Sequence, residues 1–218
     1  GAFAEELAVA AGTLHEIPNS VDPLTATLVE PLAAALQTFI MSPITREETI
    51  VVLGPGRLGI LIVFIAALKG LKVLAVSRSE AKRDRALDYG AIWTCSPDEA
   101  EVLIRENTQG LGADLVIDTT GNPDGITQAL KLVRPRGTVC CKTTCGLPAT
   151  GLDITKLVVD EVQLQGSRCG PFEPALEILK THHDKLKHLI TSTRPLEETQ
   201  AALESASKEN KVVINMKT

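Results

Sequence analysis

The chain has 218 residues, of which 44% are hydrophobic and only 3% aromatic, and it carries a net charge of −5. That length suits one α/β domain with a smaller appendage, and the aromatic-poor composition points to a core of Val, Ile, Leu and Ala. The acidic balance leaves no basic footprint for a nucleic-acid partner, and no apolar run reaches the roughly 18 residues of a membrane span, so a cytoplasmic protein is expected. Its cysteines, Cys95, Cys140, Cys141, Cys145 and Cys169, include no C-x-x-C pair and read as small residues of a reducing compartment.

Ala4 to Ile17 reads as a strand with a turn and residues 21–40 as a separate helix; neither shares the pattern of the rest of the chain. From Thr49 onward, short β-rich runs alternate with helical segments, which argues for a parallel sheet with helices on both faces. Strands are expected near 49–54, 72–77, 91–94, 114–118, 137–141 and 162–166. Lys69-Gly70 closes the first helix between them. Ser96-Pro97-Asp98-Glu99 opens another as a capping box with proline at N1, and Asn122-Pro123 opens the next. Two halves of three strands predict an α/β Rossmann fold, a doubly wound parallel sheet of six strands with its ligand crevice at the carboxyl ends of the central ones. An amphipathic helix from Pro195 to Ser207 and a strand from Lys211 to Met216 complete the tail.

The stretch Thr49-Ile-Val-Val-Leu-Gly54-Pro-Gly56-Arg-Leu-Gly59 is an apolar strand, three glycines at G-x-G-x-x-G spacing, and the start of an apolar helix. Gly54 lets the chain turn off the strand, Gly56 lets the backbone approach a pyrophosphate, and Gly59 lets the helix pack against the sheet. The amides and positive dipole end of that helix then face the phosphates. Gly54, Pro55, Gly56, Arg57, Leu58 and Gly59 are therefore candidate contacts to a dinucleotide cofactor.

About 20 residues past such glycines, an NAD site places an acid at the end of the second strand for the ribose hydroxyls. Here Lys72-Val-Leu-Ala-Val76 runs into Ser77-Arg78-Ser79. A hydroxyl followed by a guanidinium suits a 2′-phosphate, which a carboxylate would repel, so NADP(H) is expected over NAD(H), with Lys82 and Arg83 adding positive field. The other reading of these residues has Ser79 capping the next helix and Arg78 solvated. A methyltransferase, whose glycine loop also comes after a first strand, is disfavoured by the same missing acid.

The fourth strand runs into Asp118-Thr119-Thr120-Gly121 and the fifth into Lys142-Thr143-Thr144-Cys145-Gly146. Both loops fall at the carboxyl edge, making Thr119, Thr120, Gly121 and Thr143 further candidates for the cofactor site. A plain strand-to-helix turn with Asn122 as cap also fits the first. Cys140 and Cys141 read as core and strand-end residues, having no partnered histidine nearby in sequence.

The order Gly1-Ala-Phe-Ala-Glu, Leu28-Val-Glu30-Pro31-Leu-Ala-Ala-Ala, Gly54-Pro-Gly-Arg-Leu-Gly59, Asp118-Thr-Thr-Gly-Asn-Pro123, Gly166-Ser-Arg168-Cys-Gly-Pro171 and Lys211-Val-Val-Ile214 resembles the medium-chain dehydrogenase/reductases, the zinc-type alcohol, polyol and threonine dehydrogenases. Ser77-Arg78-Ser79 looks like their NADP-using branches. The resemblance implies hydride transfer between NADP(H) and a small alcohol or carbonyl substrate, assisted in the intact family by zinc. It implies that residues 1–45 are a remnant of a chaperonin-10-like catalytic domain, 46–184 the NAD(P)-binding Rossmann domain, and 185–218 a segment returning toward the catalytic domain.

Arg168 falls at a position close to the cofactor in relatives, and equally reads as a loop anchor. Glu30 falls near the catalytic zinc in polyol-dehydrogenase-like members, or simply precedes a helix whose N1 residue is Pro31. The zinc-binding Cys and Gly-His-Glu segment of the family are missing, since His15, His182, His183 and His188 stand in no such setting. This implies a zinc site only in an intact protein, a chain inactive by itself, and, by analogy, a homodimer formed through the edge of the Rossmann sheet. Gly1, with no methionine before it, fits a cut or engineered start. A free-standing NADP(H) sensor or interaction module without catalysis is the alternative from another class.

Overall fold

In the computed structural model, which describes residues 3–149 and 151–216, the segment from Ala4 to Ile17 is not the expected strand but an irregular stretch with one 3-10 turn at Ala11–Thr13. Leu7 and Val9, spaced as in a strand, are exposed and pair with no neighbour among the described residues, and without a partner there is no ladder to form. Gly1 and Ala2 of the Gly-Ala-Phe-Ala-Glu motif lie outside the described residues.

The helix expected over residues 21–40 is two helices, α1 (Pro23–Ala26) and α2 (Val29–Met41). Asp22 caps α1 by accepting from the Thr25 amide at 2.9 Å and the Thr25 hydroxyl at 2.6 Å. Pro31 has no amide hydrogen to give to the preceding turn, so the ladder breaks there and α2 starts afresh with Pro31 inside its first turn, where proline is tolerated. The helix thus starts before Pro31 rather than at it.

The sheet is built from β1 (Thr49–Leu53), β2 (Lys72–Val76), β3 (Trp93–Cys95), β4 (Ala113–Asp118), β5 (Val133–Cys141) and β6 (Gln163–Gly166). All five pairings are parallel and the order is β3-β2-β1-β4-β5-β6, the doubly wound Rossmann order. Between the strands run α3 (Gly59–Leu68), α4 (Glu80–Asp88), α5 (Ala100–Glu106), α6 (Gly125–Leu132) and α7 (Ile154–Val159). Helices α3 and α4 pack together over β1 to β3, and α5 packs on α6, which covers β4, β5 and β1. Every residue of β1 is buried, as is α3 from Gly59 to Ala66, so the β-branched run and the all-apolar helix have the same cause: neither shows a face to water. Gly70 ends α3 at φ +76°, in the left-handed region a helix terminus of this kind needs.

β5 starts four residues before its expected position. Its first half, which holds Arg-Pro-Arg-Gly, is irregular: Arg136 has φ +59° and the register shifts opposite Ala113 and Leu115. Asp114 holds the irregular part, accepting from Arg134 Nε at 2.6 Å and from the Thr49 amide at 2.8 Å, and so ties β5 and β1 to β4.

The chain divides into two compact units, one over Ala34–Gly170 and one made of the described residues before Ala34 with those from Pro171 onward. The second unit holds α8 (Phe172–Leu186), kinked at His182, and a two-stranded parallel sheet of β7 (Ser192–Pro195) and β8 (Val212–Asn215), with α9 (Thr199–Ser205) between the strands. The helix expected from Pro195 is shorter, because Pro195 ends a strand and a 3-10 turn at Leu196–Glu198 precedes α9. Ser-Thr-Arg-Pro carries no apolar run, so no local pattern marks β7 as a strand. No helix among the described residues is long and apolar enough to cross a membrane.

Candidate functional site

The register of the sheet brings its carboxyl ends level. Val76 pairs with both Leu53 and Cys95, Leu53 pairs with Asp118, Asp118 with Cys141, and Cys141 with Gly166. The loops after these strand ends therefore lie along one edge, and β1 and β4 are neighbours whose crossovers run in opposite directions, which opens a crevice between them. A cleft of about 680 Å³ occupies this edge, within the range of cofactor sites. Its lining includes Gly54, Gly56, Ser77, Arg78, Ser79, Lys82, Thr119 and Thr120, eight of the residues singled out from the sequence.

The glycine turn has the geometry its sequence requires. Gly54 sits at φ +82°, and a Cβ there would press on the Thr119 and Thr120 backbone. A Cβ on Gly59 would collide with the Gly54 carbonyl and the Thr119 hydroxyl, so the first turn of α3 comes this close to the strand end only with glycine. A Cβ on Gly56 would meet just the Gly54 carbonyl oxygen, at 3.9 Å. Gly56 is thus not required for packing; what its missing side chain leaves is open space on the cleft side. The Ile60 amide donates to the Gly56 carbonyl and the Leu61 and Ile62 amides to that of Leu58, so the first turn of α3 is closed on the glycine turn, and the helix dipole adds positive potential there.

Thr119 fixes this turn from the neighbouring strand. Its one hydroxyl hydrogen is shared between the carbonyls of Leu53 at 2.8 Å and Gly54 at 2.5 Å. Asp118, buried, accepts from the amide and hydroxyl of Thr120 at 2.9 and 2.7 Å, and the Thr120 hydroxyl in turn accepts from the Asn122 amide. The Gly121 amide donates to the Thr143 hydroxyl at 2.9 Å, which joins the loops after β4 and β5. Buried Lys142 extends this frame by donating to the Ser167 hydroxyl at 2.9 Å and the Arg168 carbonyl at 2.7 Å. Thr143 and Arg168 thereby hold loops together at the edge, while Arg168 keeps an exposed side chain.

After β2, the Ser79 amide donates to the Ser77 hydroxyl at 3.2 Å. A hydroxyl that accepts in this way keeps its own hydrogen to donate. Ser79 occupies the N-cap position of α4, as its reading as a cap expects, with its carbonyl accepting from the Lys82 and Arg83 amides but its side chain making no cap bond. Arg78 and Lys82 are exposed at the cleft. Asp98 and Asp124 also line it and set two carboxylates against those two cations.

Pro55, Arg57, Leu58, Gly59, Gly121, Thr143 and Arg168 stand outside this lining, though Gly59, Gly121 and Thr143 shape it through the contacts above. Pro97, Asp98, Asn122, Asp124 and Gln128 line it without being among the site residues expected from the sequence. A signal is present in the sequence, because 97–98 and 122–124 come just after strand ends and so must reach the same edge. The expected capping box is half formed: the Glu99 carboxylate accepts from the Ser96 amide at 3.0 Å and from the Ser96 hydroxyl at 2.6 Å. Those two bonds hold the Glu99 carboxyl below its usual range.

Glu30 belongs to the other unit, exposed in the first turn of α2, where a negative charge complements the helix dipole. Among the described residues no group of three His, Cys, Asp or Glu side chains converges as a metal site needs, so the residues present do not fit a zinc ion.

Comparison with known proteins agrees with this geometry. A family model described as zinc-binding dehydrogenase matches residues 58–181, more than half of the chain. The sorbitol dehydrogenase of Halalkalibacterium halodurans is 27% identical over 209 residues, covering 93% of this chain and 61% of that protein. A structure from Sinorhizobium meliloti 1021, assigned to the zinc-binding dehydrogenases and bound to NADP, superposes with a TM-score of 0.81 at 26% identity, over 92% of this chain and 61% of that one. An alcohol dehydrogenase of Escherichia coli CFT073 complexed with NADH shares the fold, with a TM-score of 0.85 at 21% identity over 95% and 64% of the two chains. The chain therefore spans about three-fifths of the length of these relatives.

Proposed function

Because this chain belongs to the zinc-binding dehydrogenase family, we propose that its cleft holds a nicotinamide dinucleotide, with NADP(H) preferred, for an alcohol dehydrogenase-like oxidoreductase. The observation that carries the cofactor preference is the turn after β2. Ser77 has its hydroxyl hydrogen left to donate, Arg78 and Lys82 supply charge, and the turn itself contains no carboxylate. A 2′-phosphate offers only acceptors and negative charge, so these groups suit it better than they suit a pair of ribose hydroxyls.

In the proposed arrangement the pyrophosphate lies over Gly56 and the first turn of α3, where no side chain intervenes. Thr119 and Thr120 flank it from the next strand, and the loops bearing Thr143 and Arg168 bound the nicotinamide end. A bound nicotinamide supplies the carbon that accepts or gives up hydride, and the protein's part is to hold and orient it. Residues 1–45 and 185–218 are assigned to the catalytic domain's share of the fold and 46–184 to cofactor binding. The chain by itself is then a cofactor holder that turns over no alcohol. The described side chains assemble no site for zinc.

Titration of the chain with NADPH and NADH tests this reading. Binding of both with NADPH the tighter is expected. NADH binding at least as tightly overturns the cofactor preference, and zinc-dependent alcohol oxidation by this chain overturns the division of labour.

A further inference from the structure

Lys82 and Arg83 are neighbours in the first turn of α4, yet their side chains go different ways. Lys82 is exposed and lines the cleft; Arg83 is half-buried, and its Nη1 donates to the Ser77 carbonyl oxygen at 2.8 Å. The Ser77 amide donates to the Cys95 carbonyl at 3.0 Å, so both ends of this residue's backbone are held. The Arg83 charge also acts on Cys95 and Glu99, which places it against the end of β3 as well as that of β2.

A peptide unit is planar and trans, so the carbonyl of Ser77 and the amide of Arg78 point in opposite directions, and fixing one fixes the other. An unengaged carbonyl at this turn would present an acceptor to whatever binds beside it. A ribose hydroxyl can donate to such an oxygen; a phosphate, itself an acceptor, is repelled by it. We propose that Arg83 is a positioning residue for the 2′ end of the dinucleotide: it occupies the Ser77 carbonyl and leaves the Ser77–Ser79 turn facing the cleft with donors. This rests on the reading that the cleft takes NADP(H). It differs from a diffuse contribution to positive field, because the discrimination acts through one hydrogen bond and one peptide plane.

The test uses the full chain and the variants R83M and R83K, each titrated with NADPH and with NADH, with melting temperatures taken alongside. In R83M the NADPH-to-NADH affinity ratio is expected to fall about tenfold, the size of a lost charge-assisted hydrogen bond, with NADH binding kept or strengthened. R83K, which retains the charge and a donor, should recover part of the ratio. A ratio unchanged in a folded R83M, or equal weakening of both cofactors, overturns the inference while leaving the cofactor reading in place. If R83M does not fold, R83L, which likewise has no donor, is held to the same ratio. A wild-type chain with no preference for NADPH overturns the cofactor reading and this inference together.

Discussion

The Thr119 hydroxyl, at the end of β4, donates to the carbonyl of Gly54, the glycine that turns the chain off β1. The same hydrogen is shared with the Leu53 carbonyl, so one side chain ties the two central strands together where they diverge. Thr119→Val keeps the shape and removes this shared donation. Both carbonyls keep a backbone donor, Leu53 the Thr119 amide and Gly54 the Gly56 amide, so the loss expected is about 0.5–1.5 kcal/mol, the net worth of one hydrogen bond. Affinity for NADPH and NADH should fall together, since the turn and not the 2′ end is disturbed. Urea unfolding and titration of the two cofactors check this; a change in their ratio would count against it.

Gly59 and Gly56 should separate packing from binding. Gly59→Ala sets a methyl against the Gly54 carbonyl and the Thr119 hydroxyl, and the carbonyl is backbone that cannot swing aside, so a stability loss of about 1–3 kcal/mol is expected. Gly56→Ala places its methyl near the Gly54 carbonyl oxygen at an ordinary 3.9 Å and should alter stability by no more than about 0.5 kcal/mol. The same methyl would stand where a pyrophosphate approaches, and dinucleotide affinity should drop about tenfold or more. A Gly56→Ala protein that binds NADPH as the wild type does would remove the pyrophosphate from this turn.

These two glycines mark how far sequence alone reaches. Strand β1, the glycine turn and α3 are legible because three local signals agree: a β-branched run, the glycine spacing and a helix with no polar face. The Ser77–Ser79 turn is legible because it comes after a strand end at a set distance from the glycines. Asp98 and Asp124 are legible by the same rule of following a strand end, whereas the lining by Gln128, inside α6, depends on how that helix packs across the sheet, which no local window contains. Arg83 is less legible still, since its adjacency to Lys82 says nothing of which side chain reaches back to Ser77. In the tail, β7 is polar and is a strand only because β8 pairs with it.

The cofactor preference can be inverted at one position. Ser77→Asp puts a carboxylate at the end of β2, where it can accept from both ribose hydroxyls and repels a 2′-phosphate. NADPH affinity should fall about a hundredfold while NADH affinity holds or rises. The new carboxylate can still accept from the Ser79 amide, so the turn itself need not change. Fluorescence titration of both cofactors reads the outcome, and a variant that still favours NADPH would place its 2′-phosphate away from Ser77.

The buried Cys95 and the half-buried Cys141 give the protein an alkaline limit. Burial pushes Cys95 up to about 11, with the Glu99 charge adding and the Arg83 charge opposing. Burial likewise pushes Cys141 up to about 11, helped by Asp118 and Cys140. In the unfolded chain these thiols ionise near 9.0, so between that pH and about 11 the native state holds protons that the unfolded state has released. Their neutral forms favour the native state, and that contribution is intact below pH 9 and is lost as pH rises through the window. Tyr89, also raised by burial, acts in the same direction, so the informative comparison is with the Cys95→Ala, Cys141→Ala double variant. Thermal unfolding measured across the window should fall more steeply for the wild type than for the double variant. Identical slopes would mean that the two thiolates reach solvent in the folded chain.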